Sequence, residues 1–158
     1  MSELYIDIML QSLEKKEVVL DRIIEANVRQ EAVLKNPEGD PEEFDETVET
    51  KGTLIEQLEQ LDSGFQKLFD NMKEELDGQR ENYAKQIEQM QIHIRSITDK
   101  SVQIQAQEAR NKELMTQKFA RIKEMAKQTR ASSNMVNQYY KNMSKLNVVD
   151  PQFLDDKN

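Results

Sequence analysis

Residues 44–76, FDETVETKGTLIEQLEQLDSGFQKLFDNMKEEL, decide the fold of this 158-residue chain. Phe44, Val48, Lys51, Ile55, Leu58, Asp62, Phe65, Phe69, Met72 and Leu76 recur every three or four residues, the spacing of one face of a helix. Leu54, Leu61 and Leu68 widen that face, and its phenylalanines make this the element expected to pack best. A strong start signal precedes it. Asp40 is placed as N-cap, Pro41 takes the first helical position, and Glu43 stands at capping-box spacing, with Glu42 beside it near the positive end of the helix dipole.

Upstream, Ile6, Leu13, Leu20, Asn27 and Leu34 fall seven apart, and Leu10, Glu17, Ile24 and Glu31 each follow four residues later. This is a heptad seam with polar interruptions at Glu17, Asn27 and Glu31. Ser2 is placed to cap its start. KNPEGDP at 35–41 ends it, because Pro37 disfavours helix at Asn36 and Gly39 permits a turn.

Downstream, Gly78 in LDGQRE marks a break, and the seam resumes at Tyr83, Ile87, Met90, Ile94, Ile97, Ile104, Met115, Phe119, Ile122 and Met125. One rod from 41 to 130 would leave its aromatic stripe wet unless it dimerised, whereas a turn lets the chain cover its own seam. The expected fold is therefore all-α: an elongated three-helix antiparallel bundle, coiled-coil-like, with helices over about 2–35, 41–77 and 79–130. At 1.5 Å per residue the first two span roughly 50 to 55 Å and the third about 78 Å, so the third is expected to overhang. The overhang carries Lys118, Arg121, Lys123, Lys127 and Arg130 with Phe119, Ile122 and Met125, and no intramolecular cover is expected for it.

The bundle is expected to end at residue 130 and a flexible tail to occupy 131–158. In that tail Val136, Tyr139, Tyr140, Met143 and Leu146 form one apolar helical face before Pro151 breaks the pattern. Such a short amphipathic helix must fold back, self-associate or meet a partner. Met72, Met90, Met115, Met125, Met135 and Met143 recur through the second half, as core filler or, for the last three, as an adaptable binding surface. Both readings stand at this point.

Composition agrees with long helices and narrow seams: charged residues make up 33%, the hydrophobic set 37%, and there are 4 glycines, 3 prolines and no tryptophan. The absence of cysteine removes disulfides, thiolate metal sites and a cysteine nucleophile. The start MSELYIDIML lacks a basic leader, and no apolar run reaches membrane-span length, so a soluble cytoplasmic protein is expected, without membrane insertion. Net charge is −8, with 21 acids and 8 bases in residues 1–78 against 6 and 13 in 79–149. The halves are expected to pack against and neutralise each other; nucleic-acid binding through Lys112 to Arg130 is the rival use, which the acid-rich first half disfavours.

Catalysis finds little support. His93 is the sole histidine, and Glu88 and Asp99 lie off its helical face, so a structural role is expected. Glu42, Glu43, Asp45, Glu46 and Glu49 suit a solvated helix start better than a cation site. No phosphate loop, dinucleotide fingerprint or nucleophile elbow occurs, and neither enzyme activity, cofactor nor metal is expected.

The stretch FDETVETKGTLIEQLEQLDSGFQKLF, the long helix after it and the terminal YYKNM and DPQFLDDK together resemble the FlgN-type flagellar export chaperones, particularly divergent Gram-positive forms. The resemblance covers nearly the whole chain. It implies a cytoplasmic type III secretion chaperone that holds the hook-filament junction proteins FlgK and FlgL, shields their terminal helical segments and brings them to the export gate. Substrate contact toward the C-terminal end would then fall on Phe119, Ile122, Met125, Met135, Val136, Tyr139, Tyr140 and Met143, with Tyr139 or Tyr140 docking to the export gate. A monomer or weak homodimer is expected. The rival readings are a structural, self-associating coiled coil, against which polar Lys51, Asp62, Gln79, Gln86 and His93 argue, and a FliT-like chaperone for the filament cap.

Overall fold

The computed structural model describes residues 2–122 together with Asn137, Gln138 and Lys141. Three helices occupy the continuous part: α1 (Ser2–Lys35), α2 (Pro41–Gly78) and α3 (Ala84–Ile122), with no strand among the described residues. Cross-helix pairs fix their directions. Arg29 meets Glu46 while Lys16 meets Asp62, so α2 runs antiparallel to α1. Asp21 meets Lys100 while Val33 meets Lys118, so α3 runs parallel to α1. The central helix is α1, packed along both neighbours.

Local chemistry sets the helix ends. Ser2, expected as a cap, is already the first helical residue of α1. After Lys35 the Asn36 side chain accepts from the Glu38 N–H at 3.0 Å and its carbonyl accepts from Gly39 N–H at 3.0 Å, turning the chain. Gly39 is needed for room: a Cβ there would lie 2.4 Å from the Val33 carbonyl oxygen. The Asp40 side chain then accepts from Glu42 N–H at 3.0 Å, and Pro41 sits where a missing N–H costs nothing.

α2 ends at Gly78, and a turn through residues 79–83 delays α3 to Ala84, later than the expected 79. Tyr83 holds that turn, buried by its ring while its hydroxyl donates to Glu75 Oε2 at 2.9 Å. The stripe from Phe44 to Leu76 therefore packs in the chain's own core along α1, meeting α3 at Lys51–Glu108 and Phe44–Phe119.

All ten stripe residues of α2 are buried, and Leu61 and Leu68 flank them partly covered. On α1 the seven-residue row Ile6, Leu13, Leu20, Asn27, Leu34 is also buried, but its companion row is Met9, Lys16, Ile23 and Gln30. Those residues lie three, not four, after each member; Leu10, Glu17, Ile24 and Glu31 sit half-buried at the rim. A helix flanked on two sides buries a wider arc than one seam, and the choice between neighbouring rows depends on where the second partner lies.

Polar groups cross the interior in layers. Lys16 and Asp62 pair at 2.7 Å, and Lys51, fully buried, donates to Glu108 Oε1 and Gln30 Oε1, both at 2.9 Å. Gln30 also donates to the Thr47 hydroxyl at 3.0 Å, while Asn111 donates to the Asn27 carbonyl at 3.0 Å and Gln30 at 3.2 Å. Burial pushes the Lys51 ammonium down to about 8 despite the opposing pull of Glu108. It likewise lowers Lys16 and raises Asp62, each partly offset by the other. Asn27 donates to Gln107 Oε1 at 3.1 Å, leaving its own Oδ1 buried without a protein donor.

Candidate partner-binding end

Because α1 and α3 run parallel, the last described turns of α3 lie beside the C-terminus of α1, the 36–40 connection and the first turns of α2. Two contacts lock this end. Lys118 Nζ donates to the carbonyls of Val33 at 3.3 Å and Asn36 at 3.0 Å, placing a cation on the negative end of α1. Phe119 meets Phe44 edge to face, with centroids 5.8 Å apart and planes at 83°.

This moves the start of the expected overhang: Lys118 and Phe119, expected on it, are held by the bundle. Pairs between α1 and α3 drift from a separation of 76 at Glu17–His93 to 85 at Val33–Lys118, so α3 stays covered through Phe119. The bundle then runs past the end of α1, with Arg121 exposed and Ile122 closing α3. Of the eight expected contact residues, Phe119 is half-buried against the core and Ile122 has helical backbone. Met125, Met135, Val136, Tyr139, Tyr140 and Met143 lie outside the described residues, as does the expected boundary at 130. Asn137, Gln138 and Lys141, also in that region, have helical backbone and exposed side chains.

The rim of this end is acidic. Glu42, Glu43, Glu46 and Glu49 are exposed, and Asp45 is half-buried, which raises its carboxyl. Glu46 pairs with Arg29 at 2.8 Å across the α1–α2 face. Lys118 was expected on the free overhang; the glycine that admits it, Gly39, was the signal within the sequence, although it also suits an ordinary turn.

His93 is structural, through a partner that linear spacing hides: Nδ1 contacts Glu17 of α1, which also accepts from Ser96 Oγ at 3.0 Å. Lys100–Asp21 at 2.7 Å and Arg110–Glu31 at 3.7 Å add basic-to-acidic links between α3 and α1. No group of three His, Asp or Glu able to hold a metal occurs among the described residues, and no helix among them is long and apolar enough to cross a membrane.

The described residues thus define an all-α helical bundle with a layered polar interior and an acidic rim at the end where α3 runs on. The sequence model for FlgN protein matches residues 1–147, a span that includes all eight expected contact residues. The chain belongs to the FlgN family, whose members are flagellar export chaperones that bind flagellar proteins. No curated protein and no solved structure matches it.

Proposed function

We propose that this protein is a cytoplasmic chaperone that binds the hook-filament junction proteins FlgK and FlgL and delivers them to the export apparatus. Residues 1–130 act as the bundle and 131–158 as the partner-binding tail. Contacts fall on Ile122, Met125, Met135, Val136, Tyr139, Tyr140 and Met143, with Phe119 as the root from which that surface grows; Tyr139 or Tyr140 docks to the export gate.

One observation carries this reading: large apolar residues continue at helical spacing beyond Ile122, past the Phe44–Phe119 contact at the end of the described bundle. An amphipathic helical face of this kind suits a helical partner. The family's partners, flagellar proteins, are the natural occupants.

The test is isothermal titration of purified FlgK and FlgL with the full chain and with the Tyr139→Ser/Tyr140→Ser variant. Binding by the full chain, lost in the variant at unchanged melting temperature, supports the proposal. Equal binding by both places the site elsewhere, and no binding by either removes these substrates.

A further inference from the structure

We infer that the central three turns of α2, from Gly52 to Gly64, form a hinged section that opens away from α1 and α3 while both ends of α2 stay held. The four buried charged residues among the described ones form two pairs, Lys16–Asp62 and Lys51–Glu108, and each pair has one member on α2. Lys51 precedes Gly52 and Asp62 lies just before Gly64, so both pairs sit at the edges of the proposed section.

Hydration favours its opening. Moving this section outward returns Lys51, Glu108, Lys16 and Asp62 to water, recovering desolvation that their mutual attraction repays poorly. That gain opposes the loss of apolar burial at Leu54, Ile55 and Leu58, the section's own core residues. The α1–α3 contact keeps its neutral amide bonds, Asn111 to Asn27 and Gln107 to the Ile24 carbonyl, because neither involves α2.

The glycines point the same way independently. A Cβ at Gly52 or Gly64 would meet nothing within 4 Å, and neither residue has a positive φ, so packing and backbone geometry both allow alanine there. Each glycine instead disfavours the helix by about a factor of five relative to alanine. Two such residues a dozen positions apart weaken the helix at both limits of one section.

The ends of α2 are built differently. At one end Lys118 fastens the 36–40 connection and Phe44 packs on Phe119. At the other, Phe69, Met72 and Leu76 are buried in the shared core, and Tyr83 of the following turn, itself buried, donates to the Glu75 carboxylate at 2.9 Å. Opening is therefore confined between them.

Hydrogen exchange of the full chain, resolved by peptide at neutral pH, tests this. Amides of 53–63 should exchange faster than those of 44–50, 66–76 and the interior turns of α1 and α3. Gly52→Ala with Gly64→Ala should slow them by about twentyfold while leaving α1 and α3 unchanged. Lys51→Met with Glu108→Leu should slow the same amides. Equal exchange along α2, slowing shared by all three helices, or acceleration in the Lys51/Glu108 variant would each overturn the hinged section.

Discussion

Phe44 and Phe119 meet edge to face at 5.8 Å, joining the first turn of α2 to the last covered turn of α3. That contact separates two kinds of residue in the proposed site. Phe119 is partly in the bundle's core, so its loss is a loss of structure as well as surface.

Truncating Phe44, which is buried, should cost about 3 to 5 kcal/mol, and truncating half-buried Phe119 less. A double-mutant cycle of Phe44→Ala and Phe119→Ala, followed by urea unfolding, should return a coupling of about 1 kcal/mol. Coupling near zero would mean the rings are neighbours without energetic contact. Tyr139→Ser/Tyr140→Ser should leave the unfolding midpoint in place, in contrast to both phenylalanine variants.

The Lys16–Asp62 pair should be expensive to break and easy to replace. Lys16→Met alone strands a buried carboxylate and should cost about 3 to 5 kcal/mol; with Asp62→Leu added, stability should return to the wild-type value or exceed it by about 1 to 4 kcal/mol. Burial holds the folded Asp62 above its unfolded value, so this group adds stability below the unfolded value and that contribution is lost as pH rises through the folded one. Denaturant titrations should thus show the double variant's advantage at neutral pH shrinking in acid.

Lys51 gives an alkaline signature. Its folded value, about 8, lies below the ordinary 10.5, so the unfolded chain binds more protons between them and stability must rise with pH across that window. Glu108 faces it as a charged partner and Gln30 of α1 as a neutral one. From pH 7.5 to 9.5 the gain should be about 2 kcal/mol, and Lys51→Met should remove it. A wild-type stability that is flat or falling across this range would contradict the assignment.

At the 36–40 connection, Gly39→Ala forces a methyl against the Val33 carbonyl and should destabilise by about 1 to 3 kcal/mol, lowering the melting temperature by several degrees. Lys118→Met removes the cation from the end of α1 and should cost about 1 kcal/mol. Because Lys118 Nζ would lie 3.0 Å from the new methyl, the two effects should not add; calorimetry of both single variants and the double reads this directly.

The apolar face of α2 was fully legible in the sequence because period and hydrophobicity coincide there, from Phe44 through Leu76. Lys51 and Asp62 were placed on that face by spacing alone. What hydrophobicity could not reveal was the companion row on α1, where Lys16 and Gln30 are buried and the more apolar Leu10 and Ile24 sit at the rim. Their burial depends on Asp62, Thr47 and Lys51 across the interface, a relation absent from any single segment. The same holds for Glu108 and Asn111 on α3. Residue counts also misjudged where cover ends, since Tyr83 and its turn delay α3 and the α1–α3 offset widens toward Lys118. Of the expected contact surface, Phe119 packs on Phe44 at the end of the bundle.

A bundle of three passes has a geometric consequence that one of two or four lacks. With α1 and α3 parallel, the start of the chain and the exit of α3 lie at opposite poles, separated by about 50 Å of helix. A load carried beyond Ile122 would hang from one pole, leaving the other, with Leu4 and Ile8 exposed near the amino terminus, as a distant grip. If the proposed load sits at the pole where α3 ends, a label at the amino terminus stands about 50 Å from it.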